Sequence, residues 1–195
     1  MRRIAFALNK ISGGKISPNG VTIVGLLAHV PIALLIATMH NLRAAALLVV
    51  FGLFDTLDGE LARLQKRDSS SGMLLDASTD RMKEVLLYAG AAYAITAGDR
   101  PEMAFWAVLA CGASLVVSYV KAKGETAVAK TKLTTSEVNR LFQDGLMRFE
   151  VRMAVLVLGL LSNRLILAVV VIAISASLTA LWRLITIMGR LRVQD

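Results

Sequence analysis

The chain has 195 residues, 56% of them hydrophobic and 18% charged, with a formal net charge of +8 and a mean hydropathy of +0.63. Ordinary globular chains carry roughly 25% charged residues, so this composition excludes a soluble single domain. A single cysteine, Cys111, excludes an internal disulfide, and the basic excess has no interleaved stacking aromatics, which excludes a nucleic-acid binder.

Residues 2–12 predict a short helix lying at the membrane surface, with Ile4, Phe6, Ala7, Leu8 and Ile11 on its oily side. Gly13 and Gly14 break it. Ser17 is then expected to cap a helix whose first position is Pro18. The runs VTIVGLLAHVPIALLIATM and LILAVVVIAISASLTALWRLITIM match the ~20 apolar residues needed to cross a hydrocarbon core. Spans are expected near residues 18–39, 41–66, 73–97, 102–124, 145–161 and 164–189, with Pro31 either kinking the first or facing lipid. A polar connection over 124–145 joins the fourth and fifth spans, with a short helix expected from Thr135.

The expected fold class is an all-α membrane protein in one domain. A juxtamembrane amphipathic segment over residues 1–16 precedes a six-transmembrane-helix bundle over residues 17–190. Six spans put both termini on one side, and the loops on the other side carry only Arg43, Arg100 and Arg164 among the 22 Lys and Arg. That asymmetry predicts a multi-pass protein of the cell membrane with both termini cytoplasmic. The basic residues are expected to meet membrane lipid headgroups and substrate phosphates.

The acidic residues carry the chemistry. Asp55 and Asp58 stand at i, i+3, and Asp76 and Asp80 at i, i+4, so each pair shares a helix face. The second span runs toward the cytoplasm and the third runs back, which brings the pairs together at the cytoplasmic end of one hairpin. Four carboxylates converging there repel one another unless cations lie between them. Hard oxygen ligands suit Mg²⁺ or Mn²⁺, and two ions held this way polarise a phosphoryl group and activate a hydroxyl. Gly59 and Ala62 leave room on the same stripe for a substrate, and Arg63 reaches a phosphate oxygen. The bland alternative is that the carboxylates cap the hairpin or pair with Arg63, Lys66 and Arg67. Asp68 falls in the turn and off both stripes.

Residues 55–80 read D-x2-D-G-x2-A-R-x8-G-x3-D-x3-D. This stretch resembles the signature of the CDP-alcohol phosphotransferase family at all of Asp55, Asp58, Gly59, Ala62, Arg63, Gly72, Asp76 and Asp80. The resemblance implies an enzyme that displaces CMP from a CDP-linked lipid, CDP-diacylglycerol or CDP-archaeol, with the hydroxyl of an acceptor alcohol. It implies that Asp55, Asp58 and Asp76 ligate metal and that Asp80 helps hold the second ion and acts as general base. It further implies that Gly59, Ala62, Arg63 and Gly72 line the CDP site, joined by Pro18, Asn19 and Thr22 of a similar stretch before the first span. A homodimer is implied by the resemblance alone.

The acceptor is read from SYVKAKGE (118–125) and RFEVR (148–152). Lys121, Lys123, Arg148 and Arg152 put four cations near one level, which suits an acceptor carrying its own phosphate. Positive-inside flanking charge is the alternative explanation. SYVKAKGE is similar to the S-Y-x-K-A-R-A-E stretch of the family's members that use inositol phosphate, with Lys123 in place of Arg and Gly124 in place of Ala. Inositol phosphate is therefore the expected acceptor, with glycerol 3-phosphate as the alternative. Two other classes compete: an intramembrane prenyltransferase, which lacks the D-G-x2-A-R core, and a divalent-cation transporter, which would place its carboxylates near the bilayer midplane.

Overall fold

Ser17 accepts a hydrogen bond from the Gly20 amide at 3.4 Å, and Pro18 occupies the first helical turn, so the first long helix starts on its expected cap. The structure is a computed structural model. It describes residues 2–128 and 147–192, and within them every side chain except those of Phe54, Asp55 and Val128. The helix expected from Thr135 lies outside the described residues.

The described elements are α1 (Arg2–Ile11), α2 (Pro18–Ala37), α3 (Asn41–Gly52), α4 (Phe54–Gln65) and α5 (Ser70–Thr96). A 3-10 turn (Pro101–Met103) then leads into α6 (Ala104–Val128), followed by α7 (Phe149–Leu161) and α8 (Leu165–Arg192). No strand occurs among the described residues, so the all-helical expectation holds. The second expected span, 41–66, is two helices rather than one. The Leu53 amide bonds back to Val50 O at 3.3 Å, a tightened three-residue turn that follows Gly52, and α4 resumes from Phe54.

Among the described residues three helical stretches are long and apolar enough to cross a membrane: Pro18–Ala37, Pro101–Ala127 and Leu165–Arg192. The others differ for physical reasons. With 12 and 13 residues, α3 and α7 extend only about 20 Å each at 1.5 Å per residue. α5 is long enough but carries Asp76, Asp80, Arg81, Lys83 and Glu84 along residues 76–84.

The chain falls into two compact units, Met1–Gly98 and Asp99–Asp195. In the first, α2 packs along α5 around Ile32, Ala33, Ile36, Leu87, Tyr88 and Ala91, all buried. The helices touch closely at Gly90, where a Cβ would overlap the carbonyl oxygen of Ala33. α1 packs on α4, with Ala5 buried among Val21, Leu57 and Leu61. In the second unit α8 packs against α6 and α7, burying Ala110, Val117, Leu156, Val169, Ile172 and Ala176. Gly159 permits the approach of α7 to Ala168 of α8.

Candidate active site

A sharp reversal builds the site. α4 ends at Lys66, whose left-handed backbone (φ 53°) lets the Arg67 amide bond back to Ala62 O at 3.0 Å. Three residues later Ser69 caps α5 by accepting from the Gly72 amide at 3.1 Å. The last turns of α4 and the first turns of α5 therefore face one cavity, and the start of α2 closes a third side.

That cavity has a volume of about 620 Å³. α2 contributes Pro18, Asn19 and Thr22; α4 contributes Thr56, Asp58, Gly59, Ala62 and Arg63; the turn and α5 contribute Arg67, Asp68, Ser69, Ser70, Gly72, Met73 and Asp76. All seven residues expected at the CDP site line it. Two helix N-termini, those of α2 and α5, open onto the same space, and their amide ends favour an anionic group. Gly72 has little room to grow, since a Cβ there would stand 3.2 Å from Ser69 Oγ and 3.5 Å from Asn19 Oδ1. At Gly59 the nearest such atom is an Arg63 guanidinium nitrogen at 3.8 Å, which leaves that face of α4 to the cavity.

Asp58 is buried at 5% exposure. Its Oδ2 accepts the Thr22 hydroxyl at 2.6 Å, and its Oδ1 accepts the Gly59 amide at 2.6 Å. Asp76 is half-buried on the cavity wall. Asp55 stands one turn before Asp58 on α4; its side chain lies outside the described residues. Among the described residues no three His, Cys, Asp or Glu side chains group closely enough to hold an ion. Two aspartates on facing helices, with all-oxygen donors and a roomy cavity, nonetheless suit a hard divalent cation that shares its ligands with a phosphate.

Asp80 lies one turn beyond Asp76 and is not part of the cavity wall. Lys83, whose side chain is 0% exposed, reaches Asp80 Oδ1 at 3.2 Å; Arg81 lies 3.7 Å from Asp80 Oδ2 and 3.1 Å from Glu84 Oε2. Arg81, Lys83 and Glu84 thus form an ion-pair network around this last aspartate. Arg63 pairs with Glu60 at 2.8 Å on the exposed side of α4. Arg67, Ser69 and Ser70 also line the cavity, and sequence reasoning did not single them out as site residues; their hydroxyl and guanidinium donors beside a helix start were the available signal. Asp68, set apart by the spacing, lies on the same wall.

The acceptor candidates sit in the second unit. Lys121 and Lys123 are two residues apart on α6 and so project to different faces. Lys121 lies 3.8 Å from Glu125, and Lys123 stands over the Tyr119 ring at 5.9 Å. Arg152 is 1% exposed and donates to Met147 O at 2.6 Å, while Arg148 is exposed at the start of α7. Arg183 of α8, 4% exposed, donates to Val117 O at 3.5 Å and feels the charges of Arg152, Arg148 and Glu125. Arg183 thus adds a buried cation to the same unit, within the electrostatic field of Arg148 and Arg152. The sequence signal for it was an arginine inside an apolar span, a placement too costly to be incidental.

Comparison with known proteins fits this geometry. The sequence pattern of the CDP-alcohol phosphatidyltransferase family matches residues 15–182. The chain belongs to the CDP-alcohol phosphatidyltransferase family. It is 40% identical over 114 residues to the phosphatidylinositol phosphate synthase of Corynebacterium glutamicum, covering 57% of this chain and 52% of that protein. It is 35% identical over 133 residues to the phosphatidylinositol phosphate synthase of Mycobacterium marinum, covering 64% of this chain and 57% of that protein. The matched segment thus spans about half the length of these relatives. The fold superposes on the Mycobacterium tuberculosis phosphatidylinositol phosphate synthase solved with CDP-DAG bound, with a TM-score of 0.80 and 26% identity, covering 95% of this chain and 92% of that one. The same protein solved with manganese and citrate gives a TM-score of 0.81 at 24% identity, covering 95% and 88%, a likeness of fold.

Proposed function

We propose that this protein transfers the phosphatidyl-type group of a CDP-linked lipid to a hydroxyl of inositol phosphate, releasing CMP. The observation that carries the reading is the single cavity in which Asp58 and Asp76 share walls with all seven residues expected to bind CDP. Support for the donor comes from the solved relative that holds CDP-DAG, and support for the acceptor from curated relatives named phosphatidylinositol phosphate synthase.

Asp55, Asp58, Asp76 and Asp80 are the residues that would hold two divalent ions, Mg²⁺ or Mn²⁺. Bound there, the ions would supply charge neutralisation for the pyrophosphate and lower the cost of ionising the acceptor hydroxyl. The chain's own groups do the rest. Thr22 and the Gly59 amide orient the Asp58 carboxylate. Gly59, Ala62 and Gly72 keep the wall low enough for the nucleotide, and Pro18 and Asn19 border it. Arg63 is free to swing from its exposed partner Glu60 toward a phosphate oxygen. Asp80 takes the proton of the acceptor hydroxyl, held in place by Lys83 and Arg81.

The acceptor's own phosphate is bound by Arg148, Arg152 and Arg183, with Lys121 and Lys123 supplying field rather than direct contact. The reading includes six membrane spans, a homodimer, and the cavity and both termini on the cytoplasmic side; the arginine and lysine asymmetry of the loops supports the orientation. The test is CMP release by the purified protein from CDP-diacylglycerol, with and without chelator, across inositol phosphate, glycerol 3-phosphate and serine. Metal-dependent release with inositol phosphate alone is expected. Release with glycerol 3-phosphate instead would reassign the acceptor, and no release with any would overturn the reading.

A further inference from the structure

We propose that α1 is a strut that reports the charge of the membrane surface to the carboxylate helix, with Gln65 as the coupling residue. The inner face of α1 is fixed to α4. Ala5 is 0% exposed against Leu57 and Leu61, the residues flanking the Asp58–Gly59 pair by one and two positions. One turn further along, Gln65 at the end of α4 donates from Nε2 to Asn9 Oδ1 and to Ile16 O, both at 2.9 Å. The Ile16 carbonyl can only accept, which fixes the amide's orientation. Gln65 Oε1 is left buried with no hydrogen-bond partner among the described residues. A half-buried amide that gives up one end to tie a helix terminus to two other segments is a joint, and α4 cannot shift against α1 without breaking it.

The outer face of α1 fits one partner, an anionic lipid surface. At 100° per residue Ile4, Ala7 and Ile11 form an apolar flank, and Ile4 and Ile11 are 52% and 88% exposed. Beside it runs a basic flank of Arg3 and Lys10, both exposed, with Arg2 and Lys15 nearby. No acidic residue precedes Asp55 to neutralise them. The apolar membrane-spanning stretch begins at Pro18, so α1 is tethered within seven residues of the bilayer. An apolar flank at the acyl boundary with cations beside it is the arrangement that anionic headgroups attract. Membrane charge then reaches the site by a short path: headgroups hold α1, and the Gln65 joint passes that restraint to α4. The surface contact stands apart from any reaction; its effect on turnover rests on the function proposed above.

Hydrogen exchange of the full chain in nanodiscs, zwitterionic against partly anionic phospholipid, separates the two layers without any substrate. Anionic lipid is expected to slow amide exchange by about tenfold in both 2–11 and 54–65, the scale of one or two headgroup contacts. Arg3→Gln with Lys10→Gln should abolish the response in both segments, and Arg3→Lys should retain it. Gln65→Leu, which keeps the side-chain volume, should leave the α1 response and remove that of α4. Equal exchange in the two discs, or an α4 response that survives Gln65→Leu, would overturn the proposal. Turnover, measured in parallel, should follow the α4 response; anionic-lipid dependence that persists in the Arg3/Lys10 double variant also overturns it.

Discussion

Thr22 of α2 donates its hydroxyl to Asp58 Oδ2 of α4 at 2.6 Å, across 36 positions of sequence and inside a buried wall. The same hydroxyl lies 3.2 Å from Pro18 O, but it has one proton, and the shorter contact to a charged acceptor takes it. Thr22 therefore acts on the carboxylate as well as lining the cavity.

Thr22→Val keeps the shape and removes the donor. A hydrogen bond to a charged group is worth about 1.5–3 kcal/mol, so the metal concentration needed for half-maximal CMP release should rise about 10–100-fold. The KM for the CDP-lipid should change little, and Thr22→Ser should restore near-normal behaviour. Metal titrations of the two variants check this; a rise in the CDP-lipid KM with unchanged metal dependence would place Thr22 on the nucleotide instead.

Most of this site was legible before any coordinates. The spacings i, i+3 and i, i+4 put each aspartate pair on one face, and the small residues Gly59 and Ala62 marked where a substrate could lie against backbone, while Gly72 came through the family resemblance. Ser17 and Pro18 announced the start of α2 by cap chemistry, which is local. What escaped was non-local or non-periodic. Leu53 keeps right-handed helical angles (φ −74°, ψ −20°), so only Gly52 hinted that one expected span was two helices. Gln65 and Asn9 meet across 56 positions, and isolated amides carry no periodic signal. Lys121 and Lys123 were grouped by sequence level, but a separation of two on a helix sends them apart.

Asp80 and Lys83 make the next prediction. Asp80→Asn removes the expected base and also one partner of an ammonium group that is 0% exposed. CMP release should fall by about 10²–10⁴-fold, the usual contribution of general base catalysis. The variant should also unfold more readily, by about 1–3 kcal/mol, because the buried Lys83 ammonium loses the counter-charge of a carboxylate. Lys83→Met should cost less stability than Asp80→Asn, since an apolar side chain of similar size needs no partner there. Thermal unfolding in detergent beside turnover checks both; near-normal activity of Asp80→Asn would exclude Asp80 as the base.

Two glycines separate packing from propensity. Gly90→Ala forces a methyl into Ala33 O and should part α2 from α5, at a cost of about 1–3 kcal/mol or more. Gly112→Ala meets nothing within 4 Å and trades a poor helix former for a good one, so it should be neutral or slightly stabilising. Melting temperatures of the two variants should move in opposite directions or differ by several degrees. A loss at Gly112 equal to that at Gly90 would indicate a close contact on the outer face of α6, as a second copy of the chain would make.

The acceptor site is tested by the contrast between buried and exposed cations. Arg152 and Arg183 are 1% and 4% exposed, and each also holds a backbone carbonyl, of Met147 and of Val117. Buried guanidinium groups keep charge-assisted donors in fixed directions, which suits the phosphate of the proposed acceptor. Losing one charge-assisted contact of about 1.5–3 kcal/mol should raise the KM for inositol phosphate about 10–100-fold in Arg183→Gln and Arg152→Gln. The KM for the CDP-lipid should stay within about twofold, since an interaction specific to one substrate leaves the other's binding alone. Lys121→Ala should also affect the acceptor more than the CDP-lipid. Its effect should be smaller than that of Arg183→Gln, because Lys121 is exposed and already beside Glu125. Steady-state kinetics with each substrate varied in turn decide the matter. Equal effects on both substrates, or a larger effect at Lys121 than at Arg183, would move the acceptor phosphate away from the buried arginines.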